Sequence, residues 1–186
     1  MQIHLAQVRS AKSKVDPLSD VETINTELVL ADLDTAEKAK ARIERTAKSG
    51  NKEALAQCEC LQALIQHLGE GKAARLFAVP DEQAAFVRSL CMITSKPMMY
   101  IANVDEDGLE NNVLATRLHE YAQQEHAQMV TVCAQIEAEI ALLDDEEREE
   151  FLTDLGLQEP GLNRVIRAGY NLLDLQTFFT SGPKET

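Results

Sequence analysis

The sequence predicts a helix-rich α/β fold: a long antiparallel helical hairpin followed by a few-stranded parallel sheet. Three observations predict it. Two long stretches carry apolar residues at spacings of three and four and are separated by Ser49-Gly50-Asn51. Two short, nearly continuous apolar runs, within 96–103 and 129–133, suit buried parallel strands. The segment between those runs has the length of a crossover helix.

The elements follow in chain order. Residues 1–15 have no clear periodicity and read as a tail or a displaced strand. At Pro17-Leu18-Ser19-Asp20 a helix starts, with Ser19 or Asp20 as N-cap. Val21, Ile24, Leu28 and Ala31, then Ala36, Ala39, Ile43 and Ala47, mark one amphipathic helix over about 19–48. Ser49-Gly50-Asn51 breaks it. A second helix over about 52–69 carries Ala54, Cys58, Leu61, Ile65 and Leu68 inward, completing a coiled-coil-like hairpin over 19–71. On this pattern Cys58 is core and Cys60 exposed.

From 72 onward the character changes. Pro80-Asp81-Glu82 opens a helix that turns Phe86, Val87 and Leu90 inward. The first strand then runs into Asn103, a helix spans about 111–125, and the second strand covers 129–133. Helices follow at about 135–142, 144–155 and 160–173, and 176–180 reads as a final strand. Asp144-Asp145-Glu146-Glu147 places carboxylates at a helix N-terminus, where the helix dipole favours them.

Composition limits the function classes. The 186 residues carry a net charge of -13, so the chain as a whole is no polyanion binder. No apolar run reaches the roughly 18 residues of a membrane span, and a secretory signal is not expected at the N-terminus. The four Cys have neither zinc-site nor disulfide spacing, which fits reduced thiols and a cytoplasmic setting. No metal site is expected. His119 and His126 stand seven apart, too far for an i, i+4 pair. The acidic run at 144–150 lacks the alternation of a calcium loop.

One constellation carries chemistry. Open α/β sheets bind ligands at the carboxyl ends of their strands. There the first strand ends in Asn103-Val104-Asp105-Glu106 and the second in Cys133-Ala134. An Asn in that position can brace the neighbouring loop and meet a purine edge, and a carboxylate three residues on can point at the same base. Backbone groups of Cys133 and Ala134 can serve its other edge. GTPases place Asn-Lys-x-Asp and Ser-Ala-x in these loops, and their Asp accepts two hydrogen bonds that only guanine can offer.

Several stretches make a resemblance specific: Lys14-Val15-Asp16-Pro17, Asp20 to Asp34, Tyr100 to Asn112, and Asp144 to Thr180 with its Glu159-Pro160-Gly161-Leu162-Asn163-Arg164-Val165-Ile166-Arg167. The chain resembles the middle of the Obg-like ATPases, the subfamily often called YchF, nearly throughout from residue 14 onward. The resemblance implies a partial P-loop G domain with an inserted hairpin, residues 72–186 being the C-terminal part of that domain. It implies an Asn-x-x-Glu base motif and a preference for ATP over GTP, with Mg²⁺ beside the phosphates of the complete protein. Asn103, Val104 and Glu106 would contact the base, with Cys133 and Ala134 behind it. A longer carboxylate cannot take the guanine-clamping pose, and adenine N1 offers a lone pair where guanine has a proton.

The departures are equally informative. The sequence holds no Gly-x-x-x-x-Gly-Lys-Ser/Thr loop, no Asp-x-x-Gly segment ahead of Lys14, and no TGS domain before Thr186. Phosphoryl transfer depends on groups that grip phosphates. Hydrolysis by this chain alone is therefore not expected, and nucleotide binding is expected to be weak. Missing sheet neighbours would leave apolar faces and strand edges exposed, so self-association is expected.

A second functional class stays open, a non-enzymatic coiled-coil interaction module that binds RNA or a protein partner without nucleotide. Lys38, Lys40, Arg42, Arg45, Lys48 and Lys52 gather about the hairpin tip against a single nearby acid, Glu44. They form a candidate contact for RNA or the ribosome, although a solvated helix face would have the same composition.

Overall fold

The structure, a computed structural model, describes residues 16–179. The stretch 1–15, expected as a tail or strand, lies outside them, as does Thr180. Two compact units divide between Pro97 and Met98. The sequence-based division fell at 71/72; residues 74–95 in fact pack with the hairpin.

In the first unit, α1 (Pro17–Ala47) and α2 (Lys52–Gly69) form the hairpin. α1 begins two residues before the expected start, because Pro17 occupies the first turn, where its missing N–H costs nothing. Neither Ser19 nor Asp20 is the N-cap; Asp20 sits in the first turn instead. Gly50 closes the tip at φ +86, and the Asn51 side chain accepts from Ala54 N at 3.0 Å to start α2.

The seam is broader than two helices alone would make it. α2 packs on the 3-10 turn Ala74–Leu76 as well as on α1. Consequently Cys60 and Leu64 are buried beside Ala54, Leu61 and Leu68, while Cys58 is half-buried and Ala31 exposed. The expectation for Cys58 and Cys60 was thus inverted. Burial also pushes the Cys60 thiol up from its ordinary value. Val29, Ala36, Leu61, Leu64, Leu68, Ala74 and Met92 form this core, and Phe86, Val87 and Leu90 lie against it around α3 (Ala84–Ser89).

Asp32 lies inside that core, 1% exposed. Its carboxylate accepts from Ile93 N at 2.7 Å, Thr94 N at 2.7 Å and Thr94 Oγ1 at 2.6 Å. Thr94 Oγ1 in turn accepts from Ala74 N at 2.8 Å. A buried carboxyl group needs hydrogen-bond partners in place of water, and three short donors supply them.

In the second unit, β1 (Met99–Asn103) and β2 (Gln128–Val132) pair in parallel, Met99 opposite Gln128 and Asn103 opposite Val132. Between them run α4 (Gly108–Asn111) and α5 (Val113–Gln124), divided by Asn112, whose side chain caps α5. Then come α6 (Ala134–Ile140), α7 (Asp145–Asp154) and α8 (Gly161–Leu172). Asp144 and Glu147 make a reciprocal capping box on α7. Cys133 belongs to the N-cap of α6, not to the strand. Of the strand expected at 176–180, residues 176–179 are exposed, irregular chain, and among the described residues the sheet has two strands. α8 leans on β2 and β1 through Gly161 and Ala168, both buried.

Removing the Asp32 carboxylate should leave the amides of Ile93 and Thr94 without acceptors inside the core. Asp32→Ala is expected to lower the stability of the first unit by about 3 kcal/mol. Urea unfolding followed by a probe in that unit measures it; a loss under about 1 kcal/mol would mean that water replaces the carboxylate without cost.

Candidate base-binding loops

The second unit brings two loop ends together. The ladder continues one step past the strands, with Val104 N donating to Val132 O at 2.9 Å. Beyond it the Asn103 side chain crosses to the other loop, and Oδ1 accepts from Ala134 N at 2.9 Å. Asn103, Val104, Cys133 and Ala134 are thereby held at the carboxyl edge of the parallel pair, where such sheets bind ligands. Asn103 Nδ2 makes no hydrogen bond among the described residues.

After Val104 the chain turns tightly. Gly108 N donates to Asp105 O at 2.9 Å, and Leu109 N to Glu106 O at 3.2 Å. A Cβ at Gly108 would lie 2.9 Å from Asn112 Nδ2 and 3.1 Å from Val104 Cβ, so a glycine lets the turn fold back on Val104. Glu106 is on the outside of this turn and exposed, as are Asn103 and Ala134. The Cys133 side chain points the other way, 4% exposed, into a core with Ile136, Ile140 and Leu152. Cys133 can therefore offer a ligand only backbone groups.

Sequence reasoning missed Glu137. Its Oε1 accepts from Gly161 N at 2.6 Å and its Oε2 from Leu162 N at 3.0 Å. α8 starts at Pro160-Gly161 with no side-chain cap of its own. A helix start without a local capping residue still has free N–H groups to satisfy, and that was the only signal in the sequence.

The basic residues of the hairpin are less concentrated than expected. Lys38 pairs with Asp34 at 2.6 Å, and Lys40 lies 3.6 Å from Glu44 while also donating to Gln62 Oε1 across the hairpin. These two belong to the stem, and Glu44 is not the one acid nearby. Arg42, Arg45, Lys48 and Lys52 are exposed and form no ion pair among the described residues. Lys38 and Arg42 also line a shallow groove of about 300 Å³ with Asp34, Thr35, Ala39, Ser89 and Leu90.

A nucleotide's Mg²⁺ is held by one or two carboxylates together with phosphate oxygens, in octahedral geometry. No group of three His, Cys, Asp or Glu suited to a metal occurs among the described residues. His119 bonds Gln123 at 2.9 Å, and His126 is exposed just past the end of α5. No described helix is long and apolar enough to cross a membrane.

A parallel strand pair with loops joined at its carboxyl edge, in a chain that also carries a helical hairpin, has the fold class of part of a P-loop domain, as a solved structure shows. The fission-yeast protein solved as the YchF GTPase of Schizosaccharomyces pombe shares this fold, with a TM-score of 0.82 over 95% of this chain and 49% of that one, at 22% identity. In sequence, the "Ribosome-binding ATPase YchF" of Escherichia coli O157:H7 is 53% identical over 172 residues, 92% of this chain and 47% of that protein. The Bacillus subtilis protein of the same name is 43% identical over 181 residues, 96% and 50%. No family model matches. The chain belongs to the YchF family and spans about half the length of the curated relatives it matches.

Proposed function

We propose that this chain is the base-reading and hairpin portion of a YchF-type ATPase. It recognises adenine through Asn103, Val104 and Glu106, with the backbone of Cys133 and Ala134 closing the far side. The observation that carries this is the Asn103–Ala134 hydrogen bond, which joins two strand ends 31 residues apart into one loop pair at the ligand-binding edge. The relatives' printed name, an ATPase, supports the choice of nucleotide. Hydrolysis and Mg²⁺ handling in such an ATPase need phosphate-gripping groups besides these base contacts.

Calorimetric titration with ATP and with GTP, each with Mg²⁺, tests the reading. Base contacts alone should give ATP a Kd on the order of millimolar, with GTP weaker. Glu106→Asp should narrow or reverse that preference by shortening the carboxylate towards the guanine-clamping pose. Micromolar ATP binding would show that the chain grips phosphates after all.

The exposed cations Arg42, Arg45, Lys48 and Lys52 favour a second role, contact with ribosomal RNA. The relatives' printed name, ribosome-binding, supports it, and such a partner implies work in the cytoplasm. Replacing Arg45, Lys48 and Lys52 with Ala should weaken ribosome binding and flatten its salt dependence by about 0.7–0.9 log units per lost phosphate contact. Unchanged affinity and slope would remove the tip from the interface.

Self-association belongs to the same reading. Leu162, Ile166 and Tyr170 form an exposed stripe at helical spacing on α8, continued by Leu173 at its C-cap, and Phe178 and Phe179 are 81% and 96% exposed. Faces of this kind are normally covered. Light scattering should give a mass above that of one chain; a monodisperse monomer would contradict it.

A further inference from the structure

We infer that Glu137 is a positioning residue for the base-binding loops, acting by locking the start of α8 against α6. This rests on the adenine reading above. Three contacts form a bracket around the end of β2. Val104 N reaches Val132 O, Asn103 Oδ1 takes the first amide of α6 at Ala134, and Glu137, one turn further along α6, takes Gly161 N and Leu162 N.

α6 spans only seven residues, from Ala134 to Ile140, too few to hold its own direction. Something else must fix where its first turn points. The inward side is held by Ile136 and Ile140 in the core. The remaining freedom is a rotation that would swing Ala134 and Glu137 together, and the bidentate grip on α8 opposes it. Carboxylates are well suited to this, since both oxygens accept and the helix N-terminus attracts negative charge.

Gly161 shows how close the grip is. A Cβ there would stand 2.7 Å from Glu137 Oε1 and 3.1 Å from Val132 Cγ1. Glycine thus brings α8 against both the carboxylate and the last residue of β2. The same strand end whose carbonyl receives Val104 N is the surface on which α8 rests. Glu137 therefore sets the position of the Ala134 N–H, and through it the side chain of Asn103, without touching the base.

The test uses the chain as it is, in two readouts. The first is hydrogen exchange at the Ala134 amide without ligand. Glu137→Ala should accelerate it at least tenfold. Asp144→Ala, which strips the capping box from α7 and loosens the same unit away from the loops, should leave it within twofold. The second is adenosine against guanosine, followed by amide shifts of Asn103 and Ala134. Glu137→Ala should weaken adenosine at least fivefold and erase the difference between the two nucleosides.

Glu137→Gln, which keeps one acceptor but turns an N–H₂ towards a donor, should fall between wild type and Ala in both readouts. Unchanged Ala134 exchange in a folded Glu137→Ala chain overturns the inference, as does equal acceleration by Asp144→Ala. If the wild-type chain shows no adenosine response while exchange at Ala134 still depends on Glu137, the adenine reading fails and the bracket stands as a structural clamp.

Discussion

Backbone N–H groups at the start of a helix or turn must find acceptors, and in this chain side chains far away in sequence supply the decisive ones. Asp32 serves the turn at Ile93 and Thr94, Asn103 serves the start of α6, and Glu137 serves the start of α8. Each bond links segments 24 to 62 residues apart. Apolar packing brings the segments near one another without fixing their rotation, because burial has no direction. The hydrogen bonds do have direction, and they set the angle at which short elements meet.

This division of labour explains what was legible. Apolar spacing located both long helices, and short apolar runs located both strands, to within a few residues, since those patterns are local. The resemblance carried the family. What failed depended on partners outside the window being read. The Cys58 and Cys60 assignment assumed a two-helix seam, but the 74–76 turn widens the buried face of α2. The strand expected at 176–180 is absent through Phe179; those residues follow Asp174, whose φ of 50 turns the chain out of α8.

The loops were legible in part. Asn103 and Ala134 stand out because they close apolar runs. Glu137 does not, since a Glu in the first turn of a helix is ordinary, and its partners lie 24 and 25 residues later. Asp32 was hidden in the same way, occupying a core position in a helix whose neighbours are Leu, Val and Ala. A charged residue on the apolar stripe is a signal in itself, because burying it is costly unless a specific set of donors awaits it.

The two helices of the hairpin differ in length, 31 residues against 18. Asp32 grips α1 near its middle, 15 residues before Ala47 at the tip, and at about 1.5 Å per residue that is an arm of about 22 Å. A stiff arm pivoting on a polar clamp converts a small tilt at one end into a larger sweep at the other. A load applied to the basic turn reaches the chain as torque on Asp32 and on the turn at Ile93 and Thr94. The resistance to such a load then falls on the three hydrogen bonds at the fulcrum, which have direction where the apolar contacts around them have none.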